Sequence, residues 1–340
     1  MTSLFNERNG VILAFIVALV FPLISNNNYH LYIISLAFIW AIGVYGLNMI
    51  GGFTGQLSLA HAGFFAIGAY GVGLLTVDYG MNFWLALVLA LIITVVIGFL
   101  IGLIALRTKE HFFAIYTLCV GYIIYLVIYK TDAITHGVRG VIGIPNPTAI
   151  GPISFISPIA KYYLMLFFLV VTIFAVKRII HSLVGRTFIA IRNSEELAQA
   201  IGISTMRNKL ISFVISTFFA GLGGGLYASF VRFLGPELAY ISITFEMLTF
   251  LLVGGIGSLA GPIIGTLLVT IITQSLQFLQ DYRMIIYGPI LIFIIVFYPW
   301  GIAGKYQEWK MHREIEKLKK EQIELMQKQA QQGGVPNVKG

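Results

Sequence analysis

The stretch that decides the fold is NGVILAFIVALVFPLISNNNYHLYIISLAFIWAIGVYGLNMIGGFTGQLSLAHAGFFAIGAYGVGLLTV, residues 9–77, which contains no Asp, Glu, Lys or Arg. One helical membrane crossing needs about 20 apolar residues, so this run is long enough for three. The whole chain of 340 residues is 58% hydrophobic and 11% charged, whereas soluble domains are about a quarter charged. The composition excludes a soluble globular domain, a disordered chain and a secreted disulfide scaffold, and it predicts an all-α polytopic membrane protein.

Apolar runs of bilayer length predict about ten transmembrane or re-entrant helices. They lie near 10–25, 31–51, 58–77, 83–106, 111–129, 160–180, 210–231, 242–255, 261–277 and 284–302. The segments 242–255 and 261–277 are short for a full crossing, which makes them candidates for re-entrant or broken helices.

The distribution of basic residues predicts that both termini lie in the cytoplasm. If each segment crosses once, 17 of the 22 Lys and Arg residues fall on the side of the N-terminus, and cytoplasmic loops carry this excess. We expect a transmembrane domain at 1–304, with an extracytoplasmic, mostly non-helical loop at 130–159 and a cytoplasmic loop at 181–209. A charged cytoplasmic helical tail at 305–340 should follow, with a disordered end.

Two glycine-rich segments, 51–65 and 254–262, each separate two apolar runs, and their similarity indicates an internal duplication. Transporters use broken helices to present helix ends and backbone dipoles to a polar substrate. The alternative is a tight helix hairpin whose glycines permit close packing. The candidate hinge or packing glycines are Gly51, Gly52, Gly55, Gly254, Gly255, Gly257 and Gly261.

Polar side chains in and beside these segments are candidates for lining a substrate pathway. An ionisable residue inside a span is costly and marks a functional site by default, although Glu246 could instead reach the membrane interface. For Asn48 and His61 the competing interpretation is a hydrogen bond between helices. The full set of candidates is Asn48, Thr54, Gln56, Ser58, His61, Glu246 and Ser258.

Common catalytic motifs are absent from the sequence. There is no GxxxxGK[ST] phosphate-binding loop, no HExxH and no GxSxG, and the six histidines are scattered. We therefore assign no catalytic or metal-binding residue and no cofactor. If the protein moves a solute uphill, the energy must come from an ion gradient or from another polypeptide.

The segment NSEELAQAIG, residues 193–202, predicts a short helix within the cytoplasmic loop. Asn193 or Ser194 is the candidate N-cap. Glu195 and Glu196 occupy the first turn, where the helix dipole favours acids, and Gly202 is the candidate C-cap. A segment with GxxxG spacing at 220–228 predicts a helix-packing surface.

Three blocks resemble the permease subunits of bacterial branched-chain amino acid ABC importers of the LivM type. They are GLNMIGGFTGQLSLAHAGFFAIGAYG at 46–71, GRTFIAIRNSEELAQAIGISTMRNKLISFVISTFFAGLGGGLYA at 185–228 and FLLVGGIGSLAGPIIGTLLV at 250–269. The resemblance extends over nearly the whole chain up to about Gly304. It implies a multi-pass protein of the bacterial inner membrane that forms a passage for Leu, Ile or Val.

The resemblance also implies partners. These are a second homologous permease subunit, two ATP-binding cassette subunits that use the ATP, and an extracytoplasmic substrate-binding protein. No nucleic-acid partner is implied. Five residues match the family's cytoplasmic loop, whose short helix docks on the ATP-binding subunit and couples it to the spans: Arg186, Arg192, Glu195, Glu196 and Gly202.

Two other functions stay open on the sequence. A urea or short-chain amide permease shares these motifs, and the cognate binding protein would distinguish it. An ion-coupled secondary transporter would need buried ionisable residues for coupling, and Glu246 is the one candidate. An intramembrane enzyme would need clustered catalytic groups, and the sequence offers none.

Overall fold

A computed structural model describes residues 15–25, 27–108, 110–275 and Gly301, and these residues are mostly helical. The longer helices are α1 Phe15–Ile24, α2 Asn28–Leu47, α3 His61–Val77, α4 Phe83–Ala105, α5 Glu110–Lys130, α7 Pro158–His181, α10 Thr205–Val231, α11 Ile241–Gly254 and α12 Gly261–Ser275. The shorter ones are α6 Asp132–Thr135, α8 Leu183–Asn193 and α9 Glu195–Ala200. A π-helical turn continues α2 from Asn48 to Phe53.

Helices occur at nine of the ten predicted segments. The tenth, 284–302, lies outside the described residues apart from Gly301, and so does the predicted tail helix at 305–340. Among the described helices, five are apolar and long enough to cross a membrane. Helices α11 and α12 have only 14 and 15 residues.

The structure corrects two predictions. The second helix does not end at residue 51, because the chain stays helical through the π-helical turn to Phe53 and α3 starts only at His61. The loop at 181–209 holds two helices, α8 and α9, where the sequence predicted one. The loop after α5 is mostly non-helical, as predicted, with α6, one short 3-10 turn at Gly137–Arg139 and the two-residue strand β1, Val141–Ile142.

Helices α2 and α10 form the centre of the bundle. Within α2 and its π-helical turn, 94% of the most apolar, membrane-length stretch is buried, whereas the corresponding share for α5 is 22%. Helix α10 packs against α2, α3 and α4, while α4, α5 and α7 present rows of exposed apolar side chains. Those outer faces suit contact with lipid tails or with another membrane subunit.

An aromatic cluster joins the three innermost helices. Trp40 of α2 stacks on Phe65 of α3 with ring centroids 4.8 Å apart, and Tyr227 of α10 lies 5.5 Å from Trp40 and 5.7 Å from Phe65. Stacked and edge-on pairs at these distances each add about 0.5–1.5 kcal/mol beyond area burial. The cluster therefore fixes how α2, α3 and α10 sit together.

The predicted packing surface at 220–228 is confirmed by the contacts of α10 with α3. A Cβ atom on Gly68 would collide with the backbone of Gly221, and one on Gly224 would collide with the carbonyl oxygen of Phe65. Small residues let two backbones approach this closely. On the other hairpin, Gly254 of α11 meets Gly261 and Gly265 of α12 in the same way.

The connections between helices gather at two ends of the bundle. At one end the loop after α3 meets the 130–157 loop, where the His136 ring lies 3.1 Å from the Asp78 carboxylate. The same loop pairs with the segment after α10, because β1 is antiparallel to β2, Phe233–Leu234. At the other end lie α8, α9 and both glycine-rich loops. This alternation between two ends agrees with the predicted order of crossings.

Two neighbouring glycines of α10 provide a test of the packing. Gly224→Ala should lower the thermal unfolding midpoint in detergent, because its Cβ would meet backbone atoms that cannot move aside, at a cost of about 1–3 kcal/mol. Gly225→Ala should cost less, since its Cβ would meet the flexible end of the Leu87 side chain. Equal destabilisation by the two variants would contradict this packing.

Candidate functional site

The two glycine-rich loops meet at the side chain of Asn48, in the π-helical turn. Its Nδ2 atom donates to the carbonyl oxygen of Ser258 at 2.8 Å, and the backbone N–H of Gly257 donates to its Oδ1 at 2.8 Å. Asn48 is fully buried, so this one amide uses both of its ends to join the loops. The predicted site residues Asn48 and Ser258, 210 positions apart, are thus brought together.

Two glycines are required at this junction for different reasons. A Cβ on Gly52 would collide with Asn48 Oδ1 and lie 2.7 Å from the nitrogen of Gly257. Gly257 has a φ of +74°, in the left-handed region that favours glycine. Gly257, one of the candidate hinge or packing glycines, lies in the loop between α11 and α12 and contacts Gly52.

Further hydrogen bonds hold the second loop. The Tyr45 hydroxyl donates to the carbonyl oxygen of Leu259 at 2.6 Å. Ser258 Oγ donates to Gly255 O and accepts from Gly261 N, both at 2.9 Å. The Ser258 side chain therefore stabilises the turn that begins α12.

The first loop is fixed to α10 through two hydroxyl groups. Thr54 Oγ1 and Ser212 Oγ lie 2.6 Å apart, and both lie within 3.2 Å of the Met49 carbonyl oxygen. Ser212 is seven residues from the start of α10 at Thr205, which corresponds to about 10 Å at the helical rise. The loops therefore lie about a quarter of the way along α10, near the end of the bundle that carries α8 and α9.

Three predicted pathway residues carry buried polar atoms that have no hydrogen-bond partner in the described part of the chain. These atoms are Gln56 Oε1, Ser58 Oγ and His61 Nδ1. His61 Nε2 lies 2.9 Å from the carbonyl oxygen of Gly43, so the proton belongs on Nε2 and Nδ1 is left as an acceptor. Leaving such groups unpaired costs about 1–3 kcal/mol each, which makes this six-residue stretch a candidate for contact with water or a polar solute.

Glu246 is not part of this junction. It lies on α11, eight residues before Gly254 and so about 12 Å along the axis from the second loop. Its side chain is half-buried. Two residues before Glu246, Thr244 Oγ1 accepts from the backbone N–H of Ala62 at 3.1 Å, so this part of α11 lies beside the start of α3, next to His61.

The α8–α9 segment lies against the same junction. Ser194 is the N-cap of α9, with its Oγ accepting from Leu197 N at 3.2 Å, and Gly202 ends it at a φ of +85°. The alternative cap, Asn193, is the last residue of α8. Arg192 of α8 contacts both glycine-rich loops, at Gly55 and Gly257. Arg186 and Glu196 are exposed.

An ion pair that the sequence did not predict attaches α9 to α10. Lys209 Nζ lies 2.6 Å from Glu195 Oε2, and Lys209 is only 3% exposed. Gln199 Nε2 also donates to Thr205 Oγ1 at 3.0 Å. A lysine is almost never buried unless it is paired, so Glu195 does more than complement the helix dipole: it neutralises a buried cation.

The described residues contain no group of three or more His, Cys, Asp or Glu side chains that could hold a metal ion. An open groove of about 420 Å³ is lined by apolar side chains of α4 and by Phe218, away from the loop junction. The polar residues at the junction therefore serve to fix backbone loops and to offer a few unpaired hydrogen-bonding atoms.

Adjacent glycines at the junction allow a matched test. Gly52→Ala should displace Asn48 and lower the thermal unfolding midpoint, with an overpacking cost of about 1–3 kcal/mol. Gly51→Ala should be neutral or slightly stabilising, because the nearest atom to its Cβ would be 3.9 Å away. A Gly51→Ala variant as unstable as Gly52→Ala would contradict the contact between Asn48 and the loops.

Comparisons with known proteins agree with the architecture. A family model described as "Branched-chain amino acid transport system / permease component" matches residues 29–295. The high-affinity branched-chain amino acid transport system permease proteins LivM of Escherichia coli (strain K12) and Salmonella typhimurium (strain LT2) are each 30% identical over 293 residues, covering 79% of this chain and 69% of the relative. The permease protein LivH of Escherichia coli (strain K12) is 26% identical over 299 residues, covering 80% and 93%.

No solved structure matches the chain. The family model nevertheless spans well over half of the chain, and it includes both glycine-rich loops, the α8–α9 segment and the whole of α10. The chain therefore belongs to the family of branched-chain amino acid transport system permease components.

Proposed function

We propose that the chain is a permease subunit of an ATP-driven importer and forms the passage for Leu, Ile and Val. The observation that carries this proposal is membership of the permease family over residues 29–295. The sequence contains no phosphate-binding loop of its own, which fits a subunit whose energy comes from a partner. An extracytoplasmic binding protein would deliver the amino acid, so the passage itself need not bind tightly.

The polar stretch that leads into α3 would offer transient hydrogen bonds to a zwitterionic substrate as it moves through the passage. Gln56, Ser58 and His61 offer buried hydrogen-bonding atoms without protein partners. Asn48, Thr54 and Ser258 already have partners within the protein, so their part in the pathway would be to shape it. Glu246 is a further pathway candidate on α11, two residues after Thr244, whose Oγ1 accepts from Ala62 N at the start of α3.

The α8–α9 segment would receive the force from an ATP-binding subunit. Leu197 and Ile201 of this segment are large, apolar and strongly exposed, and exposed apolar patches in such positions mark contacts with other proteins. The ion pair between Glu195 and Lys209 would keep α9 from moving independently of α10. Arg186, Glu196 and Gly202 are further residues of this docking surface.

The proposed assembly contains a second, homologous permease subunit, two ATP-binding cassette subunits and the binding protein. The positive-inside distribution supports placing α8, α9 and both glycine-rich loops in the cytoplasmic half, with the 130–159 loop outside. The expected location is the inner membrane of a bacterium. No cofactor is assigned to this chain, because ATP would be used by the partners.

Uptake in cells tests the substrate and the energy source. Deleting the gene should abolish high-affinity uptake of radiolabelled leucine, and restoring it should return uptake that excess isoleucine and valine inhibit. Depleting ATP while the membrane potential is kept should stop uptake, since the energy comes from hydrolysis. Competition by urea would favour the amide permease instead, and uptake that follows the ion gradient without ATP would favour a secondary transporter.

A surface variant tests the docking role of α9. Leu197→Asp should strongly reduce both leucine uptake and copurification of the ATP-binding subunit, because it places a charge on an apolar contact. Ile156→Asp is the matched control: Ile156 is 69% exposed and Leu197 68%, but Ile156 lies in the loop at the opposite end of the bundle. Normal copurification with Leu197→Asp would show that α9 is not the docking surface.

A further inference from the structure

The side chain of Arg192 spans the two glycine-rich loops. A Cβ on Gly55 would lie 3.2 Å from Arg192 Cγ and 3.4 Å from its Cα, so the start of the side chain rests on the first loop. A Cβ on Gly257 would collide with Arg192 Nη1 and lie 3.4 Å from its Cζ, so the guanidinium end rests on the second loop. One residue of α8 therefore contacts both loops at once.

Two glycines of the loops make room for the Arg192 side chain. Gly55 and Gly257 have φ values of +79° and +74°, a conformation that favours residues without a Cβ. The missing side chains leave the space that Arg192 occupies. Within the described residues the guanidinium group forms no hydrogen bond or ion pair. Arg192 is exposed to solvent on its outer side, and its inner side lies against the two loops without a charged partner.

The helix that carries Arg192 is itself held firmly. Phe188 and Ile191, on the inner face of α8, are buried, and Ser194 ends α8 and caps α9 without an intervening loop. Through Glu195 and Lys209, α9 is attached to α10. A displacement of α9 would thus be carried by α8 as a rigid body, and packed interfaces transmit such displacements in discrete steps.

We infer that Arg192 is the positioning residue that transmits movement of the α8–α9 segment to both glycine-rich loops together. This inference rests on the proposed function, because it presumes that α9 is driven by an ATP-binding subunit. Asn48 ties the two loops to each other, so a push on either loop moves the pair. Arg192 takes no part in binding the amino acid or ATP.

The test uses the complete transporter, coexpressed with its partner subunits and reconstituted in vesicles, with ATP hydrolysis and leucine uptake both measured. Arg192→Ala should leave hydrolysis near the wild-type rate while uptake falls about tenfold, within the usual range of coupling energies. Arg192→Lys should recover most of the uptake, because it keeps a long aliphatic stem and the charge. Arg178→Ala, an exposed arginine at the end of α7, is the charge-matched control and should change neither rate.

Two results would overturn the inference. One is an equal loss of hydrolysis and uptake in Arg192→Ala, which would mean that the residue only maintains the docking surface. The other is normal uptake in that variant. A wild-type transporter that hydrolyses ATP but moves no leucine would instead refute the proposed function, so the two failures are distinguishable.

A covalent link provides a second test that does not depend on the alanine variant. Cys119 is the only cysteine of the chain, so Cys119→Ser gives a cysteine-free background. In that background, Gly55→Cys with Arg192→Cys would place the two Cβ atoms 3.5 Å apart, within the range of about 3.5–4.5 Å that a disulfide requires. Because the φ of +79° at Gly55 strains any residue with a Cβ, Gly55→Ala in the same background is the control for folding and for uptake. Oxidation should form the bond and raise leucine uptake above the reduced level, since the bond replaces the packing contact. Failure to form the bond, or uptake that is unchanged or lower after oxidation, would contradict the inference.

Discussion

The amide of Asn48 is the interaction on which the site depends. It links a π-helical turn early in the chain to a loop more than 200 residues later, and both of its polar ends are used. In a buried setting an amide with only one end satisfied would be costly, so the second loop must stay where its backbone N–H and carbonyl face Asn48. Gly52 makes room for this contact, and Tyr45 and Ser212 support it from either side.

Around that junction the structure separates two kinds of polar group. Asn48, Thr54 and Ser258 are satisfied within the protein, whereas Gln56, Ser58 and His61 keep buried atoms without partners in the described chain. The first kind gives the loops a fixed shape and the second leaves hydrogen-bonding capacity unused. In the proposed importer this division would suit a passage that takes its solute from a binding protein, because a passage with many strong contacts would retain the solute.

The sequence predicted the parts that depend on local pattern. Apolar run lengths located the helices, and Ser194 and Gly202 were identified as cap candidates because their side-chain chemistry acts within a few residues. Contacts between distant segments could not be predicted in this way. The burial of Lys209 by Glu195 and the pairing of Asn48 with the second loop depend on how the helices pack, which no local pattern encodes. The one local sign of the ion pair is the position of Lys209 at the start of an apolar helix, and this position is equally typical of a charge in the preceding loop.

The central claim is that the two glycine-rich loops form one unit and move together. Leu57 of the first loop and Ile256 of the second are both exposed. Cysteines introduced at these two positions in the Cys119→Ser background can carry spin labels. Double electron–electron resonance would then measure the distance between the loops in the assembled transporter. The account predicts one narrow distance distribution that is the same without nucleotide, with ATP trapped and with the binding protein docked. A second distance, or a shift on ATP binding, would show that the loops separate and would contradict the account.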